Sequence, residues 1–150
     1  MLECPVMRLP FSTFGEIAAL GLDVHVWCCS CWHRKQIDPA DARWSARIFA
    51  GARFRCSGTH AFGGACNGPG ALSIKPREPI RAGSAIEHAT LHCPRCLPYW
   101  EINDVRFGVA PWPDLHRGER FRCPGCRDLL SMTFHGGPGI PGTDRFHERR

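Results

Sequence analysis

Lysine, tyrosine and long apolar runs are scarce in this sequence. Its 150 residues include a single tyrosine and only two lysines, Lys35 and Lys75, beside 17 arginines. No apolar stretch approaches the roughly 20 residues of a membrane span. Residues 1–16 also lack the basic and apolar segments that define a secretory signal. We therefore expect a cytoplasmic protein that does not enter a membrane.

The motifs of common catalytic sites are also missing. The sequence contains no HExxH, GxSxG or Walker motif. Its eight histidines are scattered singly, and none is paired with carboxylates at the spacing of an open catalytic metal site. We therefore predict a non-enzymatic protein with no small-molecule substrate.

Cysteine, by contrast, is abundant, with ten residues, and eight of them fall into two sets of four. In a reducing cytosol, CxxC pairs are better explained as metal ligands than as disulfides. Zinc binds four thiolates tetrahedrally, although iron in a rubredoxin-like site would use the same ligands. We predict two zinc ions, the first bound by Cys28, Cys31, Cys56 and Cys66 and the second by Cys93, Cys96, Cys123 and Cys126.

An internal repeat supports this grouping. Residues 51–58 (GARFRCSG) match residues 118–125 (GERFRCPG) at six of eight positions. Each half of the chain therefore reads CxxC, then 24 or 26 residues that end in RFR, then the next cysteine. Modules this small need a staple, because cores below roughly 70 to 80 residues supply only about 3 to 5 kcal/mol. A metal ion in each half would provide it.

The first set departs from the regular spacing and leaves two choices open. Cys56 is followed by a long insertion before Cys66, and His60 within that insertion is a second candidate for the fourth ligand. The similarity of residues 71–74 (ALSI) to residues 129–132 (LLSM) favours Cys66, because it aligns Cys66 with Cys126. Cys28 is preferred over Cys29, since only Cys28 forms a CxxC with Cys31.

Alternation along the RFRC segments separates their side chains into two faces. Because successive strand residues point in opposite directions, each phenylalanine lies on the same side as its cysteine. The opposite face carries arginines, whose planar guanidinium suits phosphate recognition. We therefore predict nucleic-acid contacts by Arg53, Arg55, Arg120 and Arg122.

Local signals predict further elements. Thr13 and Glu16 form a capping box for a helix over residues 14–20, with Gly21 at its end. An apolar strand over residues 22–27 and a returning strand over 34–37 predict a hairpin. A second short helix is expected from Asp38, with Pro39 at its first position.

Tryptophan is present at five positions. Such rings can stack on unpaired bases, but large aromatics in small metal domains more often replace a missing core. We expect packing to be the role of Trp27, Trp32, Trp44, Trp100 and Trp112.

With the eight cysteines, the repeat and the strand pattern in view, both halves resemble zinc ribbons. These small three-stranded modules occur in transcription factors, RNA polymerase subunits and ribosomal proteins. The resemblance implies a small, metal-stabilised, mainly β fold of two tandem zinc ribbons with short helices and a flexible C-terminal tail. The expected divisions are residues 1–21 (N-terminal segment with a short helix), 22–76 (first ribbon), 77–88 (linker), 89–135 (second ribbon) and 136–150 (tail).

The charge of the chain depends on its metal content. An ion with four thiolates carries about −2, so two sites lower the formal net charge of +5 to about +1. Nucleic acid is our leading prediction for the partner, because of the arginine-bearing strands. The alternative is a protein–protein adaptor or a small subunit of a larger assembly, favoured by the near-neutral charge and by apolar residues 9–14. A third hypothesis is a metal or redox sensor that uses Cys4 and Cys29.

Overall fold

The computed structural model describes residues 6–58, 63–78, 80–81, 84–96, 99–106, 108–112 and 120–136. The N-terminal segment contains a strand, β1 (Val6–Arg8), and a helix, α1 (Phe14–Ala19). The backbone N–H of Glu16 donates to Thr13 Oγ1 at 3.2 Å, and the N–H of Thr13 donates to Glu16 Oε1 at 3.2 Å. Gly21 follows with a φ of +71°. The predicted capping box and helix are confirmed.

Three antiparallel strands form the first half. The strand β2 (Leu22–Cys28) pairs with β3 (Arg34–Ile37) on one side and with β4 (Gly70–Pro76) on the other. The predicted hairpin is confirmed. A 3-10 turn, Phe49–Gly51, lies between β3 and β4.

The helix expected from Asp38 is wrong, because the segment forms consecutive turns. Ala40 N–H donates to Asp38 Oδ1 at 3.0 Å, and Arg43 N–H donates to Asp41 Oδ1 at 2.9 Å. Aspartate side chains that accept backbone hydrogen bonds two residues ahead stabilise turns in competition with a helix.

The second half repeats the strand order of the first. It contains β5 (His88–His92), β6 (Trp100–Arg106), β7 (Arg120–Arg122) and β8 (Ser131–His135). β5 lies between β6 and β8 and is antiparallel to both, as β2 is between β3 and β4. The RFRC segments differ, however. The second forms β7, which pairs in parallel with β1, whereas the first makes only an isolated bridge between Arg55 and Pro69.

The two three-stranded units form one sheet. Leu72, Ser73 and Ile74 of β4 pair in parallel with residues 100–102 of β6, and the resulting strand order is β3-β2-β4-β6-β5-β8. The described residues between β4 and β5 form no helix or strand. The sheet therefore runs through both halves of the chain. The expected linker over residues 77–88 divides the two copies of the sequence repeat, and its role as a domain boundary stays a prediction.

Aromatic side chains join the N-terminal segment to both halves. Phe49 of the first half contacts the buried Trp100 ring edge-to-face, with the centroids 5.0 Å apart. Phe11 packs on Phe49 at 5.6 Å and on Trp112 at 6.0 Å. Edge-to-face pairs add about 0.5 to 1.5 kcal/mol to the benefit of burial. The core therefore crosses the repeat boundary.

Two sequence predictions concern the C-terminal tail and the membrane. Of the tail expected over residues 136–150, only Gly136 belongs to the described part of the chain, so the flexibility predicted for the tail lies outside the described residues. None of the described helices is long and apolar enough to cross a membrane.

Truncation of Phe49 tests the shared core. We expect Phe49→Ala to lower the free energy of unfolding by about 3 to 5 kcal/mol, because it empties a fully buried site. The exposed neighbour provides the control, since Ile48→Ala should cost less than about 0.5 kcal/mol. Denaturant unfolding followed by circular dichroism and fluorescence should show one coincident transition for both variants. Separate transitions for the two halves would contradict a shared core.

Candidate metal centres and the adjacent groove

The structure brings together the eight predicted cysteines in the same two sets of four. In each set, the four sulfur atoms lie within 4.8 Å of one another. In the second set, Cys93 and Cys126 have their sulfurs 3.4 Å apart, and Cys96 Sγ lies 3.8 Å from Cys123 Sγ. Three of these four residues are buried, and Cys126 is half-buried.

The first set is equally compact but more exposed. The sulfurs of Cys28 and Cys66 are 3.5 Å apart, and those of Cys31 and Cys56 are also 3.5 Å apart. Only Cys28 is buried, and the other three residues are half-buried. The two sites therefore share one geometry and differ in their access to solvent.

The sulfur spacing fits a tetrahedral ion. Metal–sulfur bonds of about 2.3 Å, the value for zinc, place the sulfurs of a tetrahedron about 3.8 Å apart. Backbone N–H groups also point at the sulfurs: Ser30 N–H donates to Cys28 Sγ at 3.4 Å, and Gly125 N–H donates to Cys123 Sγ at 3.4 Å. Such donors stabilise thiolates, the form that binds a metal. Both donor sets therefore suit a divalent ion with a preference for sulfur.

Two of the three regular CxxC turns are closed by the same two backbone hydrogen bonds. In the first half, Trp32 N–H donates to the Cys28 carbonyl, and Cys28 N–H donates to the His33 carbonyl. In the second half, Arg127 N–H donates to the Cys123 carbonyl, and Cys123 N–H donates to the Asp128 carbonyl. We call each such turn a knuckle.

The widened turn of the first site is a knuckle with an insertion. Asn67 N–H donates to the Cys56 carbonyl, and Cys56 N–H donates to the Gly68 carbonyl, which are the two closing bonds of the regular knuckles. A further bond from Cys66 N–H to the Gly58 carbonyl closes the base of the insertion. Cys66 therefore occupies the position that Cys126 has in the second site. The competing candidate, His60, lies outside the described residues.

A left-handed residue follows the second cysteine in these knuckles. The φ angles are +66° at Trp32, +51° at Asn67 and +67° at Arg127. This backbone region costs a non-glycine residue roughly 1 to 2 kcal/mol, and asparagine tolerates it best after glycine. The knuckle conformation is therefore strained, and other interactions, such as metal binding by the sulfurs, must stabilise it.

His33 is a neighbour of the first site that the sequence reasoning missed. Its Nδ1 lies 3.1 Å from Cys31 Sγ and 3.7 Å from Cys56 Sγ. Gly58 makes room for the ring, because a Cβ at that position would collide with the His33 imidazole. The sequence did offer a signal for His33, because it follows Cys31 by two residues. At that position its carbonyl closes the knuckle, so its side chain begins close to the sulfur atoms.

Each site combines thiols whose pKa values are shifted in opposite directions. In the first site, backbone N–H groups of Cys31 and Ser30 that donate to the Cys28 sulfur lower the pKa of Cys28 to about 6, against the effect of burial. Against the Gly68 N–H that donates to it, burial and the neighbouring sulfurs raise the pKa of Cys66 to about 12. In the second site, burial raises the pKa of Cys93 to about 12, whereas, against the effect of burial, hydrogen bonds lower the pKa of Cys126. A metal that binds either cluster must therefore displace protons from the thiols of raised pKa.

Cys29 is an exposed residue of the first knuckle, next to the cluster. Desolvation and the charge of Cys28 raise the pKa of the Cys29 thiol. A raised pKa lowers the thiolate fraction and with it the reactivity expected of a redox sensor. Cys4, the other residue of that hypothesis, lies outside the described residues.

The four predicted arginines are all exposed, but they have different surroundings. The guanidinium of Arg53 stacks on the Tyr99 ring at 4.1 Å and donates to the Ala50 carbonyl at 3.0 Å. Arg122 donates to the Arg127 carbonyl at 3.0 Å. Arg120 lies on β7, and Arg55 faces a groove beside the first site.

This groove has a volume of about 560 Å³ and opens between β3, the turns that follow it and the first site. Two of its cations lie against aromatic rings. The Arg34 guanidinium is 4.7 Å from the centre of the Trp27 ring, and the Arg43 guanidinium is 5.8 Å from the centre of the Trp44 ring. The lining residues used below are Trp27, His33, Arg34, Lys35, Asp38, Asp41, Arg43, Trp44 and Arg55.

The packing role expected of the tryptophans is confirmed for some and wrong for one. Trp100 and Trp112 are buried, and Trp44 packs against the core. Trp27 is half-buried and lies against the Arg34 guanidinium. Trp32 is instead 72% exposed, at the left-handed position of the first knuckle.

Comparison with known proteins found no relative of this chain. No protein-family model, curated protein or solved structure matches the chain. The function is therefore argued from the sulfur clusters and the groove.

The metal content of two variants tests the assignment of Cys66. We expect two metal ions per chain in the unaltered protein and in Cys29→Ala, and one ion in Cys66→Ala after dialysis against a competing chelator. Native mass spectrometry under reducing conditions gives the count. Two ions retained by Cys66→Ala would show that another residue completes the first site.

The difference in burial predicts the order of metal loss. A limiting amount of chelator should release the first ion before the second, because three of the four residues in the first site are half-buried. Alkylation during chelation, followed by peptide mapping, should modify Cys31, Cys56 and Cys66 earlier than Cys93 and Cys123. Earlier modification of the second set would contradict the role of burial.

Proposed function

We propose that each four-cysteine cluster binds one structural zinc ion, and that the two ions fix the fold of a non-enzymatic nucleic-acid-binding module. Four thiolates saturate a tetrahedral ion and leave no position for water or substrate, so the zinc would be structural. The observation that carries the nucleic-acid assignment is the groove beside the first site, in which arginine side chains lie against aromatic rings.

The charge within the groove favours an anionic ligand. Four of its lining residues are cationic and two are acidic. Asp41 is bound to Arg43 at 3.1 Å. Among the described residues, Arg34, Lys35 and Arg55 form no salt bridge. These three side chains are therefore available for phosphate groups, which supply most of the affinity in nonspecific nucleic-acid binding.

The groove changes which arginines we assign to this interface. Arg55 stays in the assignment, together with Arg34 and Lys35 of β3. Arg53 and Arg122 already donate to backbone carbonyls of the chain. Binding of phosphate by either would break those contacts, so we expect smaller contributions from them than from Arg55.

The adaptor alternative loses one of its two supports. The apolar residues 9–14 belong to the core of the protein: Phe11 and Phe14 are buried, and Leu9 packs against the same cluster. The near-neutral charge of the zinc-loaded chain remains in favour of this alternative. A local groove with several cations is nevertheless compatible with a small net charge.

Salt dependence tests the proposal. A labelled oligonucleotide of mixed sequence should bind the zinc-loaded protein at low salt, with log Kd rising linearly with log salt. The double variant Lys35→Gln and Arg55→Gln should lower the magnitude of that slope by about 1 to 2, since each lost phosphate contact removes about 0.7 to 0.9. Fluorescence anisotropy across a range of salt concentrations measures both effects.

The control for this experiment removes the same charge elsewhere. Arg81→Gln combined with Arg95→Gln replaces two exposed cations that do not line the groove, and it should leave affinity and slope close to those of the unaltered protein. Absence of binding at low salt would contradict the proposal and favour the adaptor alternative. An equal loss in both double variants would show that the groove is not the site.

A further inference from the structure

Trp32 is the most exposed of the large apolar side chains in the described part of the chain. Its 72% exposure compares with 51% for Val109, the next in order. No aromatic contact to its ring is present among the described residues. The chain itself therefore gives this ring little packing to offset its contact with water.

The backbone conformation at Trp32 makes tryptophan a less stable residue at this position than glycine would be. The knuckle requires a left-handed residue at this position, and glycine adopts that conformation without steric cost. The corresponding residue of the widened knuckle is Asn67, which tolerates the conformation well. A strained and exposed aromatic residue points to a role outside the fold.

The position of Trp32 in the chain connects it to the groove. His33 and Arg34, the next two residues, both line the groove, and Cys28 at the other end of the knuckle lines it as well. The knuckle is held by the sulfur atoms of the first site and by the bond from Trp32 N–H to the Cys28 carbonyl. The backbone that carries the ring is thus fixed within two residues of Arg34, one of the cations of the groove.

We propose that Trp32 stacks on an unpaired base, and that the ligand of the groove is single-stranded nucleic acid. The inference rests on the proposed function and specifies the ligand class for the same site. Phosphates bound by Arg34, Lys35 and Arg55 would place the adjoining bases beside the knuckle. In a duplex the base faces are covered by neighbouring pairs, so only an unpaired base can present a face to the ring.

The variant Trp32→Gly separates this role from folding. Because glycine suits the left-handed backbone, the variant should keep two metal ions and a thermal midpoint equal to or above that of the unaltered protein. Its affinity for a single-stranded oligonucleotide should fall roughly 5- to 150-fold, the effect of losing one stacked base. Trp32→Phe retains a ring and should keep most of the affinity.

Two controls complete the test. Asn67→Gly relaxes the same kind of backbone position in the other knuckle of the first site and should leave affinity unchanged. The duplex of the same sequence should bind more weakly than the single strand, and Trp32→Gly should not alter its affinity. Affinities from anisotropy and metal counts from native mass spectrometry are measured for every variant.

The outcomes distinguish this inference from the proposed function. If the unaltered protein binds no oligonucleotide at low salt, the proposed function fails and the inference fails with it. If it binds, but Trp32→Gly binds the single strand as tightly, stacking by Trp32 is overturned and the ring becomes a candidate contact for a protein partner. Equal affinity of the unaltered protein for single strand and duplex would also overturn the inference.

Discussion

The structure depends on holding four sulfur atoms within one tetrahedron at two places in the chain. Each cluster joins turns that are far apart in sequence, as Cys28 and Cys66 show at 3.5 Å. Knuckles that supply these sulfurs contain left-handed residues and backbone N–H groups directed at sulfur. Such N–H groups stabilise thiolates, so four uncharged thiols would gain little from this arrangement. A bound ion would offset this strain, because structural zinc in zinc-finger peptides contributes about 10 to 16 kcal/mol.

The two sites are alike in geometry and different in setting. The second lies against the core, where Phe121 and Cys123 are both buried and Gly125 approaches Ala50 of the first half. The first lies at the solvent-facing end of β2, next to a groove lined by cations. In our proposal, this asymmetry separates stability from recognition. The buried site stabilises the shared core, and the exposed site supports a binding surface whose aromatic residue, Trp32, is not part of the core.

Local sequence signals predicted local structure well. The spacing of cysteines and the repeat predicted both sulfur clusters, the capping box at Thr13 predicted α1, and the apolar run before Cys28 predicted β2. The failures involve contacts between distant segments or competition between short-range forces. No pattern in the sequence indicated the parallel pairing of β4 with β6, because strands of mixed apolar and polar residues such as these two are compatible with many neighbours. The turns after Asp38 replaced an expected helix because aspartate side chains took the backbone donors. The exposure of Trp32 was also missed, because residue type alone favours a packing role for tryptophan.

Titration of the reduced, metal-free protein with zinc, followed by near-ultraviolet circular dichroism, tests the central claim most directly. The signal of the packed aromatic core should be weak without metal, rise with added zinc and reach its limit at two ions per chain. A metal-free protein that already shows the full signal, or a signal that reaches its limit at one ion, would contradict the account.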